Sequence, residues 1–227
     1  MESFEIKVIA KIRNDFTEKF GIPRQSGLAN SVVSQIVFEP EYRNDDALRG
    51  IEDFSYLWLI WEFSKAVRED WSPTVRPPRL GGNTRLGVFA TRSPFRPNPF
   101  GLSSVRLLGT ERTDEGTVLL VAGADLMDGT PIFDIKPYIP YCDSHPEASG
   151  GFTDTAGDFL LDVNFPEKLL CKFPEEKRAG ILEILSHDPR PSYQNDPDRV
   201  YGLAFGNFDI RFTVREKTLQ VQEVTEK

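Results

Sequence analysis

The sequence has few of the residues on which metal sites and disulfide scaffolds depend. Its 227 residues include two cysteines, Cys142 and Cys171, and two histidines, His145 and His187. The cysteines lie far apart, without the paired spacing of a zinc ribbon, and so small a number is typical of a reduced compartment. We therefore expect no metal cofactor, no disulfide framework and a cytoplasmic location.

Long apolar runs and several common catalytic motifs are also missing. No stretch of about 18 apolar residues occurs, so we expect no membrane association. The first residues alternate between polar and apolar types, unlike a signal or transit peptide. No Gly-x-Gly-x-x-Gly follows a predicted strand, and neither a Walker loop nor a Ser-His-Asp constellation is present. These absences argue against a Rossmann cofactor domain, an NTPase and a triad hydrolase.

One window of the chain contains no acidic residue. Residues 71–110 contribute +6 to a net charge of −8, which leaves −14 on the remainder. Every cation in the window is arginine: Arg76, Arg79, Arg85, Arg92, Arg96 and Arg106. Arginine binds phosphate and carboxylate bidentately and stacks on flat rings, so the window predicts a nucleic-acid-facing surface on an acidic protein. The alternative is six separate salt bridges at the surface.

Short segments of alternating or continuous apolar character predict a mainly β protein. The run Phe54–Phe63 fits a strand that is buried on both faces, and its periodicity alone leaves a helix as the alternative. The other candidate strands are Phe4–Ile12, Val32–Phe38, Leu86–Thr91, Ser103–Leu108, Thr117–Ala122 and Ile132–Ile135, and a Gly/Pro-rich loop lies at Gly21–Gly27. Many short strands separated by turns indicate a closed barrel or a sandwich.

The character of the chain changes after about residue 145. Residues 144–158 are rich in Gly, Ser, Thr and Asp, which predicts a surface loop. Pro174–Leu185 has a proline start, early glutamates and an apolar stripe, which predicts a helix. Alternation predicts strands at Phe208–Val214 and Leu219–Val224. We therefore divide the chain into a β domain at 1–145, a connecting loop at 146–165 and a small α+β domain at 166–227.

Two segments carry the residues best suited to chemistry. The segment Arg76–Leu102 combines prolines, glycines, arginines and aromatics, a mixture that suits single-stranded RNA; its candidate RNA contacts are Arg79, Phe95, Arg96 and Asn98. Its prolines also fit simple turns. The segment Ala124–Pro131 places Asp125 and Asp128 three residues apart at a strand end, where they bind a ligand or only shape a turn. Asp134 and Lys136 suggest an ion pair on a strand.

Several of these strings resemble one family. They are Pro78-Arg79-Leu80-Gly81-Gly82-Asn83, Gly87 through Pro99, Asp128-Gly129-Thr130-Pro131, Asp134-Ile135-Lys136-Pro137-Tyr138, Pro23-Arg24-Gln25, and Asp188-Pro189-Arg190-Pro191 with Tyr193. Together they are similar to the bacterial tRNA N6-threonylcarbamoyladenosine methyltransferases, over nearly the whole chain. The resemblance implies a single-sheeted β-barrel that binds S-adenosylmethionine, a homodimer, and methylation of the N6 nitrogen of threonylcarbamoyladenosine beside the anticodon of a threonine tRNA.

The resemblance also implies where the cofactor binds. The positions are Arg24, Gln25, Ser26, Ser64, Lys65, Arg92, Leu102, Asp125, Leu126, Met127 and Asp128. This chain has Ser64-Lys65 where the family often has His-Gln, a change that contacts through backbone atoms would survive.

Methyl transfer to a urea-like nitrogen requires that nitrogen to lose its proton. Asp125 or Asp128 could accept the proton, or arginines could stabilise the anionic nitrogen and the threonyl carboxylate, for which Arg92 or Arg96 is suited. Asp188, Arg190 and Tyr193 are candidates for contacting the anticodon loop, although Asp-Pro-Arg-Pro also suits a rigid exit from a helix. Two other functions stay open at this stage: a non-catalytic tRNA-binding module and an interaction protein that presents the arginine loop to an acidic partner.

Overall fold

A computed structural model of the chain describes residues 3–67, 70–80, 83–154, 160–191, 194 and 196–227, apart from the side chain of Arg79. The strands are β1 Ala10–Arg13, β2 Val33–Phe38, β3 Tyr56–Glu62, β4 Thr74–Val75, β5 Leu86–Gly87, β6 Phe100–Thr113, β7 Gly116–Ala122, β8 Pro131–Pro137, β9 Asp162–Asn164, β10 Tyr201–Phe205, β11 Phe208–Arg215 and β12 Thr218–Glu226. The α-helices are α1 Pro140–Asp143, α2 Glu167–Leu170 and α3 Glu175–Ser186. Short 3₁₀ turns lie at Pro40–Tyr42, Asp45–Leu48, Ile51–Asp53, Pro78–Leu80, Val88–Ala90 and Gly151–Thr153.

Six strands close into a barrel in the order β1-β2-β7-β6-β3-β8, and β8 returns to β1. Every pairing is antiparallel, including β3 with its two neighbours β6 and β8. The closure leaves no free edge in this sheet and gives its strands an inside and an outside. Of the barrel and the sandwich that the spacing of short strands predicted, the structure shows the barrel, which confirms the fold implied by the family resemblance.

Alternation along β3 shows why the predicted two-sided burial of this strand is wrong. Leu57, Leu59 and Trp61 point into the barrel and are 0%, 0% and 5% exposed, whereas the intervening side chains are partly exposed. The apolar residues between them, such as Trp58, cover the outer surface instead of filling a second core. A strand with an outer face of half-buried aromatics therefore reads like a doubly buried strand in the sequence.

Two predicted strands are shorter than expected. The first begins at Ala10 instead of Phe4, because residues 3–9 lie largely outside the sheet and leave Phe4 80% exposed. The segment Leu86–Thr91 contains the two-residue β5, which pairs with β4 as a separate hairpin, and then turns into the 3₁₀ segment Val88–Ala90. The alternation of apolar residues in both segments therefore does not correspond to a long strand.

The C-terminal part of the chain forms a four-stranded sheet, in the order β10-β11-β12-β9, with α3 packed beside it. The helix and the two long strands predicted in this region are confirmed in type and place. Phe16, Ala29 and Val32, from the long loop between β1 and β2, belong to the core of this sheet and not to the core of the barrel. The loop is held there by Glu183, whose carboxylate accepts from the amide (2.8 Å) and the hydroxyl (2.7 Å) of Ser31.

The loop between β1 and β2 thus links the two sheets. Asp15 binds Lys177 of α3 at 2.8 Å, and Gly180 of α3 lies so close to Val32 that an added Cβ would be 2.9 Å from its Cγ2. The division of the chain at residues 145 and 166 stays a prediction.

Candidate functional site

A cavity of about 550 Å³ lies at one end of the barrel. Its walls come from the β1–β2 loop, the end of β3, the segment before β6 and the segment that follows β7. The lining residues are Lys19, Ile22, Pro23, Arg24, Gln25, Trp58, Trp61, Glu62, Phe63, Ser64, Lys65, Ala66, Thr91, Arg92, Arg96, Phe100, Gly101, Leu102, Asp125, Met127 and Thr130. Trp58 and Leu102 face outward from β3 and β6, so the cavity continues over the rim of the barrel. A cavity of this size can enclose a cofactor-sized ligand.

Asp125 and Glu62 are the two acids among the described residues that line this cavity, and Asp125 interacts with the cation of Arg92. Burial raises the pKa of Asp125 above the ordinary value, while four groups oppose that shift: the Ser103 hydroxyl, the backbone amide of Asp125 itself, the Arg92 guanidinium and the backbone amide of Ser26. The balance leaves a carboxyl group with a higher proton affinity than a solvent-exposed one. Perturbed carboxyls inside a cavity are typical of functional sites.

A hydrogen-bond chain that the sequence did not predict leads to Asp125. The indole Nε1 of Trp61 donates to Oγ of Ser103 at 2.9 Å, and the same hydroxyl donates to Oδ1 of Asp125 at 2.5 Å. Trp61 and Ser103 lie inside the barrel and are 5% and 1% exposed. Their contact depends on the register of β3 against β6, which no local pattern in the sequence specifies.

Three predicted cofactor residues form one connected edge of the cavity. The guanidinium of Arg92 donates to the side-chain oxygen of Gln25. The side-chain nitrogen Nε2 of Gln25 donates to the backbone oxygen of Arg24. Arg24 in turn donates to the backbone oxygens of Asp188 (3.2 Å) and Arg190 (2.9 Å) in the C-terminal part. The cavity edge and the turn after α3 are therefore joined directly.

The structure separates the predicted cofactor residues into two groups. Arg24, Gln25, Ser64, Lys65, Arg92, Leu102, Asp125 and Met127 line the cavity, and Ser26, Leu126 and Asp128 do not. Ser26 still meets Asp125 through its backbone amide. The Leu126 side chain is fully buried in the barrel core, so only its backbone can face a ligand.

Asp128 lies in a turn, where it serves the local backbone. Its Oδ1 accepts from the amide of Asn14 at 3.0 Å, and Gly129 beside it has a φ of 74°. Of the two readings that the sequence left open for the pair of carboxylates, this geometry fits a turn for Asp128 and a ligand site for Asp125.

Aromatic side chains form much of the remaining wall. The rings of Trp61 and Phe63 lie 4.3 Å apart, and Phe100 packs edge-on against Phe133 at 5.4 Å. The indole of Trp58 donates to Asp143 at 3.0 Å. That bond and the Ile139 amide, the larger cause, lower the pKa of Asp143. The aromatic walls are thus fixed by their own contacts before any ligand enters.

The turn after β3 holds Ser64 and Lys65 at the cavity wall. The amide of Ser64 donates to the Glu62 backbone oxygen at 2.8 Å, and the ammonium of Lys19 donates to the backbone oxygen of Lys65. The backbone of this turn is therefore shaped by contacts that do not depend on the side chains of Ser64 and Lys65.

Five of the six arginines in the 71–110 window form no ion pair with a carboxylate in the part of the chain that the structure describes. Among the described residues, no carboxylate lies within 4.0 Å of the guanidinium groups of Arg76, Arg85, Arg92, Arg96 or Arg106. Within the described residues their charge is therefore not neutralised by a carboxylate, and Arg92 and Arg96 bind Gln25 and the backbone of their own loop instead.

Arg96, one of the predicted RNA contacts, folds back onto the loop that carries it. Its Nη1 donates to the backbone oxygens of Thr91 and Ser93, both at 3.1 Å, and it also lines the cavity. Asn98 is exposed and Phe95 is half-buried. The side chain of Arg79 lies outside the described residues.

An exposed aromatic pair that the sequence did not single out lies in the same loop. The rings of Trp71 and Phe89 stack at 6.1 Å with an angle of 27°, although the two residues are 47% and 72% exposed. They flank the β4–β5 hairpin and precede Thr91 and Arg92 of the cavity wall. The signal in the sequence was their position inside a window of arginines.

Asp188 and Arg190 are paired with each other. Two nitrogens of Arg190 donate to the two carboxylate oxygens of Asp188 at 2.8 and 2.9 Å, and the Arg190 side chain is 9% exposed. This bidentate pair fits the rigid exit from α3 better than a surface that contacts RNA. Tyr193, the third predicted contact in this region, lies outside the described residues.

The described part of the chain offers neither a metal-binding cluster nor a membrane-spanning helix. There, no three His, Cys, Asp or Glu side chains are grouped in a way that could hold a metal ion. No helix in the described ranges has the length and apolar character to cross a membrane.

Known proteins share both the sequence and this fold. The profile of the tRNA-methyltransferase O N-terminal domain matches residues 11–144, and that of the TrmO C-terminal domain matches residues 160–227. A protein of Escherichia coli named tRNA (adenine(37)-N6)-methyltransferase is 41% identical, over 97% of each chain. A putative S-adenosylmethionine-dependent methyltransferase of Pseudomonas aeruginosa is 40% identical, over 91% of each chain.

A crystal structure of TrmO from Pseudomonas aeruginosa superimposes with a TM-score of 0.79 at 31% identity, over 99% of this chain and 100% of the other. The chain therefore belongs to the tRNA-methyltransferase O family, whose members are S-adenosylmethionine-dependent enzymes. The family identified from the sequence strings is confirmed.

Proposed function

We propose that this protein transfers the methyl group of S-adenosylmethionine to the N6 nitrogen of threonylcarbamoyladenosine at position 37 of a tRNA, in the cytoplasm and as a homodimer. A threonine tRNA is the substrate that the family resemblance implies. The E. coli relative that is 41% identical is named for N6 methylation of adenine 37. The observation that carries the proposal is the cavity at the barrel end, where Asp125 faces Arg92 between aromatic walls.

The cavity walls suit the parts of S-adenosylmethionine. The flat rings of Phe63 and Phe100 can stack on an adenine, Arg24 or Arg92 can pair with the methionyl carboxylate, and backbone atoms of the Ser64-Lys65 turn offer polar contacts. When bound, the cofactor supplies a methyl group already activated on a positively charged sulfur. The residues that hold both reactants in line supply the proximity that transfer needs.

Asp125 is the group best suited to receive the proton of the substrate nitrogen. Its pKa is raised mainly by burial, which makes it a stronger base than an exposed carboxylate once it is ionised. Arg92 lies at the same end of the cavity and stays charged, so it can stabilise negative charge on the nitrogen or pair with the threonyl carboxylate. Asp128 is the weaker candidate because it is engaged by Asn14.

The loop outside the cavity supplies a surface for the RNA. Arg76 and Arg85 are exposed and have no carboxylate partner among the described residues, and the Trp71–Phe89 stack offers flat rings at the other end of the same β4–β5 hairpin. Arginines combined with exposed aromatics bind unpaired nucleotides through phosphate contacts and base stacking. Because Phe89 is two positions from Thr91 of the cavity wall, bases next to the target adenosine would meet this surface.

The decisive experiment offers two tRNAs to the purified protein with methyl-labelled S-adenosylmethionine. One tRNA carries threonylcarbamoyladenosine at position 37, and the other carries plain adenosine there. We expect label only in the modified nucleoside of the first tRNA, by mass spectrometry of digested nucleosides. Label on plain adenosine would show that the substrate is adenosine and not threonylcarbamoyladenosine. Absence of label in both tRNAs would contradict the proposal. Cells that lack the protein should also lose the methylated nucleoside.

A further inference from the structure

We propose that Trp61 and Ser103 are positioning residues that fix the direction in which the Asp125 carboxylate faces the cavity and keep it an acceptor. The two residues form the chain Trp61 Nε1–H to Ser103 Oγ (2.9 Å) and Ser103 Oγ–H to Asp125 Oδ1 (2.5 Å). The geometry is independent of the activity. Only the use of Asp125 as a proton acceptor rests on the proposed function.

The direction of the chain follows from the chemistry of its first member. An indole N–H can only donate, so the Ser103 oxygen must act as the acceptor of that bond. The single hydroxyl proton of Ser103 is then left for Asp125. A serine without the indole could turn its proton elsewhere, and a carboxylate without the serine would lose a donor inside a buried site, where lost hydrogen bonds cost most.

The barrel builds this chain from two neighbouring strands. Trp61 pairs with Gly101 in the register of β3 against β6, and Ser103 is two residues further along β6 on the same inner face. Gly101 makes the contact possible, because a Cβ there would lie 2.2 Å from Cε2 of the Trp61 ring. The indole therefore lies flat across β6 and reaches the hydroxyl diagonally.

Other charged groups face Asp125 from several elements. The cations of the cavity wall are Lys19, Arg24, Lys65, Arg92 and Arg96, and Glu62 is its other acid. Of these cations, Arg92 partly offsets the rise in the pKa of Asp125 that burial causes. The Ser103 hydroxyl offsets more of that rise. Ser103 is thus the largest influence that opposes the effect of burial. Without its hydroxyl, Asp125 should hold its proton to a higher pH.

The test is a titration of the Asp125 carboxyl carbon by 13C NMR in the full-length protein without cofactor or tRNA. Ser103→Ala should raise the midpoint by about one pH unit, the size expected for a hydrogen bond to a charged group. Trp61→Phe should raise it by less, and Ser103→Thr should restore it. Ser34→Ala is the matched control, because the Ser34 hydroxyl is also buried in the barrel and has no partner among the described residues.

The pH profile of methyl transfer provides a second measurement. In Ser103→Ala the acidic limb of the kcat/KM profile should move to higher pH, by the same number of pH units as the NMR midpoint. An unchanged midpoint in Ser103→Ala, or an equal shift in Ser34→Ala, overturns the proposal. If Ser103→Ala does not fold, Ser103→Cys must show the same sign, since a thiol donates weakly. A shifted midpoint in a protein that methylates no tRNA leaves the positioning role intact and defeats only the proposed function.

Discussion

Arg24 and Arg190 are joined by a hydrogen bond across the two sheets of the molecule. Nη2 of Arg24 donates to the backbone oxygen of Arg190 at 2.9 Å, and the same nitrogen reaches the oxygen of Asp188 at 3.2 Å. Arg24 also lines the cavity. Because Arg24 contacts both regions, it couples the cavity wall to the turn after α3. We therefore expect the cavity wall and this turn to unfold together.

Replacing Arg24 should therefore affect both stability and cofactor binding. Arg24→Ala removes two charged donors, which should cost about 1–2 kcal/mol of unfolding free energy and lower Tm by about 2–6 °C. Binding of S-adenosylmethionine should weaken by about tenfold or more, because the cavity wall loses the hydrogen bonds that join it to the turn after α3. Scanning calorimetry and titration calorimetry measure the two effects. Arg215→Ala, which removes an exposed arginine paired with Asp198, is the control and should change neither. Unchanged cofactor binding would refute the coupling.

Arg92 should be needed for catalysis and not for folding. It is exposed, is hydrogen-bonded to Gln25, and partly offsets the rise in the pKa of Asp125 that burial causes. Arg92→Ala should reduce kcat/KM by about 100-fold or more, the usual effect of removing a preorganised charge. The acidic limb of the pH profile should also move to higher pH, because the cation that favours ionised Asp125 is gone.

The control for Arg92 is Arg49→Ala, which removes an exposed arginine paired with Asp46. It should retain wild-type rates, and both variants should melt within a degree or two of the wild type. Wild-type rates in Arg92→Ala would remove Arg92 from the site.

The stacked pair Trp71 and Phe89 should bind RNA bases. Alanine in place of either residue should weaken tRNA binding by roughly 1–3 kcal/mol, the range for base stacking on an aromatic side chain. Affinity for S-adenosylmethionine should not change, because neither ring lines the cavity. The slope of log affinity against log salt should stay the same, since no phosphate contact is lost.

Tyr141→Ala is the control for the stacked pair, because Tyr141 is 89% exposed and lies outside the arginine window. Equal losses in the control and in the two variants would show that the pair has no special role. A change in oligomeric state, measured by light scattering, would assign the rings to a contact between subunits instead.

The general shape of the molecule could be predicted from local patterns, whereas the centre of the site could not. Alternation identified most barrel strands because each has one buried face. It failed at Phe4 and Ile6, which alternate with polar residues but have no strand to pair with. Asp125 and Asp128 look equivalent in sequence, and the fold separates them: Asp125 lines the cavity and accepts from Ser103, whereas Asp128 accepts from Asn14 in a turn. The bond between Trp61 and Ser103 joins residues 42 positions apart and depends on strand register.

Arg190 should matter for stability and not for direct RNA contact. Its guanidinium is nearly buried and paired bidentately with Asp188. Arg190→Ala removes two charge-assisted hydrogen bonds to Asp188, which is 26% exposed and can be partly solvated, so it should cost about 1.5–3 kcal/mol and lower Tm by about 3–12 °C. Below the transition, tRNA affinity should stay within about twofold of the wild type. Loss of tRNA binding in a variant that melts normally would instead support the contact with the anticodon loop.

Asp125 should trade stability for function. Its pKa is higher in the folded state than in the unfolded chain, because burial disfavours the charged form. The folded protein then binds the proton more tightly, so stability falls as pH rises from the ordinary aspartate value through the folded pKa, and it stays lower above that window.

Asp125→Asn removes the buried charge and keeps an oxygen that can accept from Ser103. The variant should melt higher than the wild type at pH 7.5, and this difference should be smaller at pH 4, because the wild-type carboxyl takes up its proton as the pH is lowered. Methyl transfer should be lost at both pH values. A variant that melts lower than the wild type at pH 7.5 would show that the ionised carboxylate is held more favourably than burial alone allows.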